Sequence, residues 1–246
     1  MNTFLETTIN QHMQFDYPKI FKSHRATGYD DFVRAYIPFY EHIMALLPKL
    51  IAQAIPEGNR PILVAGCGTG NELLALATAH PEWQLEGIDP SPEMITQARH
   101  KLTAYSRVRL ANGYVSDLPL GACYGAVTLL FVLHFIPDDG AKLSLLRDVA
   151  KRMLPGAPLV LLDIFGRPAE LSANLEVLKL MMPPAADPAV VAERLRTLPN
   201  RIKYIPERRL ATLLEDAGFS APQRFFQAAI YGGWIAYRKV SLRTSC

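Results

Sequence analysis

Glycines at 66, 68 and 70 and acids at 89 and 117 are residues whose types and spacing could do chemistry in this 246-residue chain. The segment Val64-Ala65-Gly66-Cys67-Gly68-Thr69-Gly70 follows an apolar run, Pro61 to Val64, and precedes a helix-like run, Asn71 to Ala79. A strand, a glycine turn and a helix start therefore meet there. Glycine lacks a Cβ and tolerates positive φ, so such a junction lets the backbone approach a ligand closely. The spacing narrows the ligand. A dinucleotide turn wants G-x-G-x-x-G/A, and Asn71 stands at its last small position. No Gly-Lys-Ser/Thr follows, so a P-loop fits worse. On the glycines alone, an ordinary tight turn stays open.

The residues downstream carry the decision. The next strand candidate, Trp83 to Ile88, ends on Asp89, 19 residues after Gly70. That is close to the roughly 20-residue spacing of a carboxylate that accepts bonds from ribose hydroxyls. Ser91 can cap the following helix, and Pro92 suits its first turn. A third strand candidate, Arg107 to Asn112, leads to a loop with Asp117. In an open parallel sheet, such strand ends line the ligand crevice.

With these motifs the chain resembles the class I S-adenosylmethionine-dependent methyltransferases. The resemblance rests on the glycine turn, on Gly87-Ile88-Asp89-Pro90-Ser91-Pro92-Glu93-Met94 and on Ser116-Asp117-Leu118-Pro119. It also rests on Tyr124-Gly125-Ala126-Val127 continuing to Phe135-Ile136-Pro137-Asp138, and on Met153 to Val160. It covers roughly 57–165. It implies that the turn, with Gly66, Cys67, Gly68 and Gly70, packs against the methionine part of S-adenosylmethionine, with S-adenosylhomocysteine as product. It implies that Asp89 binds the ribose, that Asp117 meets the adenine amino group, and that Pro90, Met94 and Leu118 flank the adenine.

Within the family the chain is similar to the carboxy-S-adenosylmethionine synthase and tRNA wobble-uridine modification branch. Phe15-Asp16, Tyr36 to Tyr40 and Ala217-Gly218-Phe219 carry that similarity. It implies that Tyr40 touches the cofactor and that the protein is a homodimer. Leu130 stands where that branch has an asparagine, and Arg194 and Arg196 both lie near the place of its arginine. The glycine turn has the ordinary methyltransferase form. These departures favour plain S-adenosylmethionine over its carboxylated derivative.

Composition fits this reading. Hydrophobic residues make up 50% of the chain, enough for a large core and too many for a disordered protein. A net charge of +3 does not call for nucleic acid. Cys67, Cys123 and Cys246 form no C-x-x-C, against a disulfide framework or a metal site. No signal-peptide core opens the chain, and the longest apolar run, Tyr124 to Ile136, is too short to span a membrane. A cytoplasmic protein is expected.

The predicted fold is α/β: a Rossmann-like, seven-stranded, mostly parallel sheet with an antiparallel last strand and helices on both faces. Strands are expected at 61–66, 84–88, 107–111, 124–131, 157–163, 222–229 and 233–239. Helices are expected at 70–79, 91–104, 139–153 and 207–217. Tyr231-Gly232-Gly233 reads as the turn of a final hairpin. Residues 1–56 form an N-terminal helical cap ahead of the 57–246 domain. There Pro38 should open a helix with Ile43, Met44, Leu47 and Leu50 on one face. Within the domain, 167–205 is an insertion broken by Pro183-Pro184-Ala185-Ala186 and Pro188, a lid or a dimer contact.

Methyl transfer is an in-line displacement, and it needs a base only when the nucleophile must lose a proton. His134, after the fourth strand, is the candidate base; helix-entry packing is its rival role. Asp163, ending the fifth strand, could orient substrate or make a structural hydrogen bond. Tyr29 and Tyr231 could reach the pocket mouth or simply pack. His12, His24, His42, His80 and His100 show no paired ligand spacing. Asp138-Asp139 reads as a helix start rather than a metal site. The cluster Arg194, Arg196, Arg201, Lys203, Arg208 and Arg209 is a solvated face or a clamp for an anionic substrate, with Arg194 and Arg201 the named candidates. A small-molecule methyl acceptor is expected. The alternatives are a cofactor- or tRNA-modifying enzyme and a non-catalytic binding module.

Overall fold

The apolar runs at 62–65, 126–130 and 158–164 form three adjacent strands inside one seven-stranded sheet. The computed structural model describes residues 28–55, 60–121, 124–183 and 188–240. Phe15-Asp16, His12, His24, Cys123, Cys246 and Pro184 to Ala186 lie outside the described residues. The strands are β1 (Ile62–Ala65), β2 (Leu85–Asp89), β3 (Val108–Asn112), β4 (Ala126–Leu130), β5 (Pro158–Ile164), β6 (Gln223–Ala228) and β7 (Tyr231–Tyr237). Their order is β3-β2-β1-β4-β5-β7-β6. Strand β7 runs antiparallel to both neighbours, and the other six are parallel, as the sequence predicts. The order reverses between β1 and β4, so the carboxyl ends of these two strands flank the crevice where doubly wound sheets bind ligands.

The described helices are α1 (Tyr29–Tyr36), α2 (Tyr40–Ala54), α3 (Asn71–Ala79), α4 (Pro92–Lys101), α5 (Ala141–Arg152), α6 (Pro168–Leu180), α7 (Pro188–Arg201) and α8 (Glu207–Asp216). Side chains alternate across the sheet and split the core in two. Ile62, Val64, Ala126 and Leu130 face the side covered by α1 to α4 and α6. Leu63, Ala65, Val127 and Leu129 face the side covered by α5 and α8. No helix among the described residues is long and apolar enough to cross a membrane.

Three sequence expectations are corrected. The hairpin turn is Ala229-Ile230, with Ala229 at φ 47°, and Tyr231-Gly232-Gly233 lie inside β7. The glycines there make room for rings rather than for a turn. A Cβ on Gly232 would sit 2.1 Å from the Trp234 ring, and one on Gly233 would sit 2.8 Å from the Phe225 ring. Pro38 lies in the turn before α2, which starts at Tyr40 after Phe39 in the left-handed region. The inner stripe of α2 runs through Ile43, Leu47 and Ile51, with Ile51 fully buried, while Leu50 is only half-buried. The i, i+4, i+8 spacing keeps those three on one helical face.

Candidate active site

Asp89 fixes the glycine turn to β2. Its Oδ2 accepts from Gly68 N at 2.9 Å and its Oδ1 from Ser91 N at 2.9 Å. Gly66 N and Cys67 N both donate to the Ile88 carbonyl, at 2.8 and 3.0 Å. Burial raises the Asp89 pKa above the ordinary carboxylate range, and the two N–H groups oppose that shift. Gly66, Gly68 and Gly70 all have positive φ, at 74°, 52° and 85°. A Cβ on Gly66 would lie 2.4 Å from Val132 Cγ2, whereas one on Gly68 would find nothing nearer than Tyr29 Cε1 at 3.9 Å. Gly66→Ala therefore combines overpacking with left-handed strain. A loss of about 2–4 kcal/mol is expected, read as a lower Tm in calorimetry. An unchanged Tm would show that the turn is not rigid at this point.

A polar network joins this turn to the N-terminal helices. Asp30 of α1 accepts from Thr69 Oγ1 at 2.6 Å, Asn71 Nδ2 at 2.9 Å and Lys101 Nζ at 2.6 Å. Burial pushes the Asp30 pKa up, but these donors and the Lys101 charge hold it below the usual value. Asn71 Nδ2 also donates to the Tyr40 hydroxyl at 3.1 Å, so Tyr40 sits one residue's reach from the turn. Burial raises the Tyr40 phenol pKa. Tyr29, whose ring faces Gly68, is raised for the same reason.

On the β2–β3 side, Ser91 Oγ accepts from Met94 N at 3.2 Å and caps α4. Met94 is buried beneath, and Pro90 is half-buried. Asp117 is exposed, and its Oδ2 accepts from Tyr114 N at 2.8 Å to close a single helical turn, Val115–Asp117. Leu118 beside it is buried. Arg152, only 3% exposed, donates to the Ser116 carbonyl and to the Leu118 carbonyl, holding this loop.

The ends of β4 and β5 carry the remaining chemistry. Leu130 is buried at the last position of β4. Phe131 follows with φ 59°, a strained value for a bulky residue. Its ring stacks on Tyr40 with centroids 6.4 Å apart and meets Tyr231 edge-on at 6.0 Å. His134 Nδ1 lies 2.5 Å from Asp163 Oδ1. Asp163 has no exposed surface and also accepts from His134 N and Ile164 N. Because the carboxylate only accepts, Nδ1 carries the hydrogen, and Nε2 is the ring nitrogen able to take a proton. The fully buried Lys142 donates to the carbonyls of Leu133, Ile136 and Lys203, which fastens the His134 loop from both sides.

The arginine cluster is mostly engaged. The Arg194 guanidinium lies 4.0 Å from the Phe32 ring centroid and 4.4 Å from that of Tyr36, docking α7 on α1. Arg196 pairs with Glu193, and Arg209 pairs with Asp138. Asp139 Oδ1 accepts from Ala141 N at the start of α5. Arg201 is exposed at the end of α7. A cavity of about 260 Å³ opens at the other end of the sheet, by Pro61, Gln84 and Arg107, away from these groups.

Sequence reasoning picked out the turn, Asp89 and His134 but missed Glu72, Lys101, Lys142 and Arg152. Charged residues at helical spacing read as solvated faces, and only the fold shows that Glu72, Lys142 and Arg152 are buried. The structure brings Tyr29, Tyr40, the turn and Asp89 together, and pairs His134 with Asp163. The open face of Gly68, and a buried Glu72 Oε1 with no hydrogen-bond partner among the described residues, suit a nucleoside ligand that carries a positive charge.

Residues 62–156 match a methyltransferase domain family. Demethylmenaquinone methyltransferase of Bacillus licheniformis is 30% identical over 149 residues, a match spanning 60% of each chain. Carboxy-S-adenosyl-L-methionine synthase of Dichelobacter nodosus is 24% identical over 242 residues, 97% of this chain and 100% of that one. Among solved structures, human N-acetylserotonin methyltransferase in complex with SAM superposes with a TM-score of 0.54 at 18% identity, covering 89% of this chain and 68% of that one. The parallel sheet, the glycine turn with its Asp89 acceptor and these relatives together support a class I S-adenosylmethionine-dependent methyltransferase.

Proposed function

We propose that the chain methylates a small-molecule acceptor whose nucleophile carries a proton, with His134 as the base. The observation that carries this reading is the buried His134–Asp163 pair at adjacent strand ends beside the crevice. When bound, S-adenosylmethionine supplies a methyl group already activated by its sulfonium charge. The turn at Gly66, Cys67, Gly68 and Gly70 would hold its methionine part, with Tyr40 and Leu130 alongside. Asp89 would accept from the ribose hydroxyls, and Pro90, Met94, Asp117 and Leu118 would hold the adenine. Asp163 keeps the His134 proton on Nδ1, so that Nε2 receives the acceptor's proton. Helices α1, α2, α6 and α7 would exclude water above the crevice, with Arg194 as the clasp between α1 and α7.

Calorimetric titration with S-adenosylmethionine and S-adenosylhomocysteine tests the donor site, and folded protein that binds neither at millimolar ligand would sink the reading. Release of S-adenosylhomocysteine over a panel of phenols, thiols and amines tests the chemistry. His134→Ala is expected to abolish turnover of phenols while leaving donor affinity unchanged.

A second reading has its own support. The full-length similarity to carboxy-S-adenosyl-L-methionine synthases and the position of Tyr40 favour an enzyme that acts on the cofactor itself. Mass spectrometry of the nucleoside copurifying with the protein separates the two. A carboxylated cofactor would favour the second reading, and plain S-adenosylmethionine the first.

A further inference from the structure

Glu72 occupies the second position of α3, directly after the glycine turn, and is only 7% exposed. Among the described residues, neither its Oε1 nor the buried Thr128 hydroxyl of β4 beside it makes a hydrogen bond of good geometry. A buried carboxyl without a partner is costly, and such groups are normally explained by a role. Among the described residues, Tyr29 of α1, Tyr40 of α2 and Cys67 of the turn feel its charge, and none of these three is a cation. Lys101 nearby is committed to Asp30 and Asn71. Strand β1 is apolar at all four positions, so it brings no acid to the turn.

We propose that Glu72 is the counter-charge for the α-ammonium group of bound S-adenosylmethionine, accepting a hydrogen bond from it through Oε1. This inference rests on the donor site proposed above. The cofactor has two cationic centres, and the sulfonium has no hydrogen to donate. A lone carboxylate acceptor beside a hydroxyl therefore suits the ammonium. Burial raises the Glu72 pKa to about 8, partly offset by the neighbouring Thr128 hydroxyl, so without ligand this carboxyl is neutral at neutral pH. An arriving ammonium favours the ionised form, so binding expels that proton. Between the unfolded value of 4.5 and about 8, the folded chain holds a proton that the unfolded chain has lost. Stability of the ligand-free protein therefore falls as pH rises through that window.

The test is calorimetry at pH 6.5 in two buffers of different ionisation heat. The ligands are S-adenosylhomocysteine and 5′-methylthioadenosine, which lacks the amino-acid end. Wild type is expected to release about one more proton per S-adenosylhomocysteine bound than per methylthioadenosine. Glu72→Gln is expected to abolish that difference. It should also weaken S-adenosylhomocysteine roughly 10- to 100-fold, as for a hydrogen bond to a charged group, and leave methylthioadenosine unchanged. The Tm of the ligand-free variant shows that it folds, and that Tm should no longer fall between pH 5 and 8. Equal losses for both ligands, or no loss for either, would overturn the assignment while leaving the donor site standing. A wild-type protein that binds neither ligand would overturn the donor site and this inference together.

Discussion

Asp89→Ala is expected to weaken S-adenosylhomocysteine binding by roughly 100- to 1,000-fold, by calorimetry on folded protein. Two losses combine. The carboxylate that would accept the ribose hydroxyls disappears. So does the acceptor that now holds Gly68 N and Ser91 N, each at 2.9 Å. Each N–H left without a partner in this buried place costs about 1–3 kcal/mol. The turn should relax away from β2, and the start of α4 with it, so the ligand meets a surface that is no longer preorganised. Asp89→Asn separates the two losses. It keeps one acceptor oxygen, but its amide can satisfy only one of the two backbone donors. Its affinity should fall between wild type and Asp89→Ala. If Asp89→Ala folds and binds as wild type does, the ribose assignment fails.

Much of the geometry of this candidate site was legible because it rests on chain-local signals. The glycine spacing, the capping pair Ser91-Pro92 and the acid at the end of an apolar run are all written within 30 residues. The fold puts them at adjacent strand ends. The parallel sheet was legible for the same reason, since strand-like and helix-like runs alternate. What was not legible depends on contacts across long sequence distances. Lys101 reaches Asp30 across 71 positions, and Arg152 reaches Leu118 across 34. Nothing in the local pattern of a Lys or Arg on a helix shows that its head meets a carbonyl rather than water. Gly232 and Gly233 misled for a related reason. A glycine pair signals a turn locally, but here it yields space to Trp234 and Phe225, and the turn moves to Ala229-Ile230. Of the N-terminal helices, α2 was legible from its apolar stripe, apart from its start and Leu50, and α1 was not. Their attachment to the turn, through Asp30 with Thr69 and Asn71, is a tertiary fact.

The pairing of His134 with Asp163 turns one ambiguous histidine into a claim with a large expected effect. Asp163→Ala empties a site with no exposed surface. It removes the oxygen that faces His134 Nδ1, so nothing holds the ring hydrogen on that nitrogen or keeps Nε2 ready to take a proton. The expected result is a fall in kcat of roughly 10²–10⁴-fold for a phenol or alcohol acceptor. Donor affinity should change less than twofold, because Asp163 does not touch the glycine turn. The acceptor supplies the discriminating control. A thiol already ionised at the assay pH needs no base, so its turnover should survive the substitution. A phenol assayed above its own pKa should recover most of its rate. If His134 only packs, Asp163→Ala lowers the Tm through the lost buried pair and moves both acceptors equally. Equal loss on ionised and protonated acceptors would therefore remove His134 from the chemistry and leave positioning beside the activated methyl group as the source of rate.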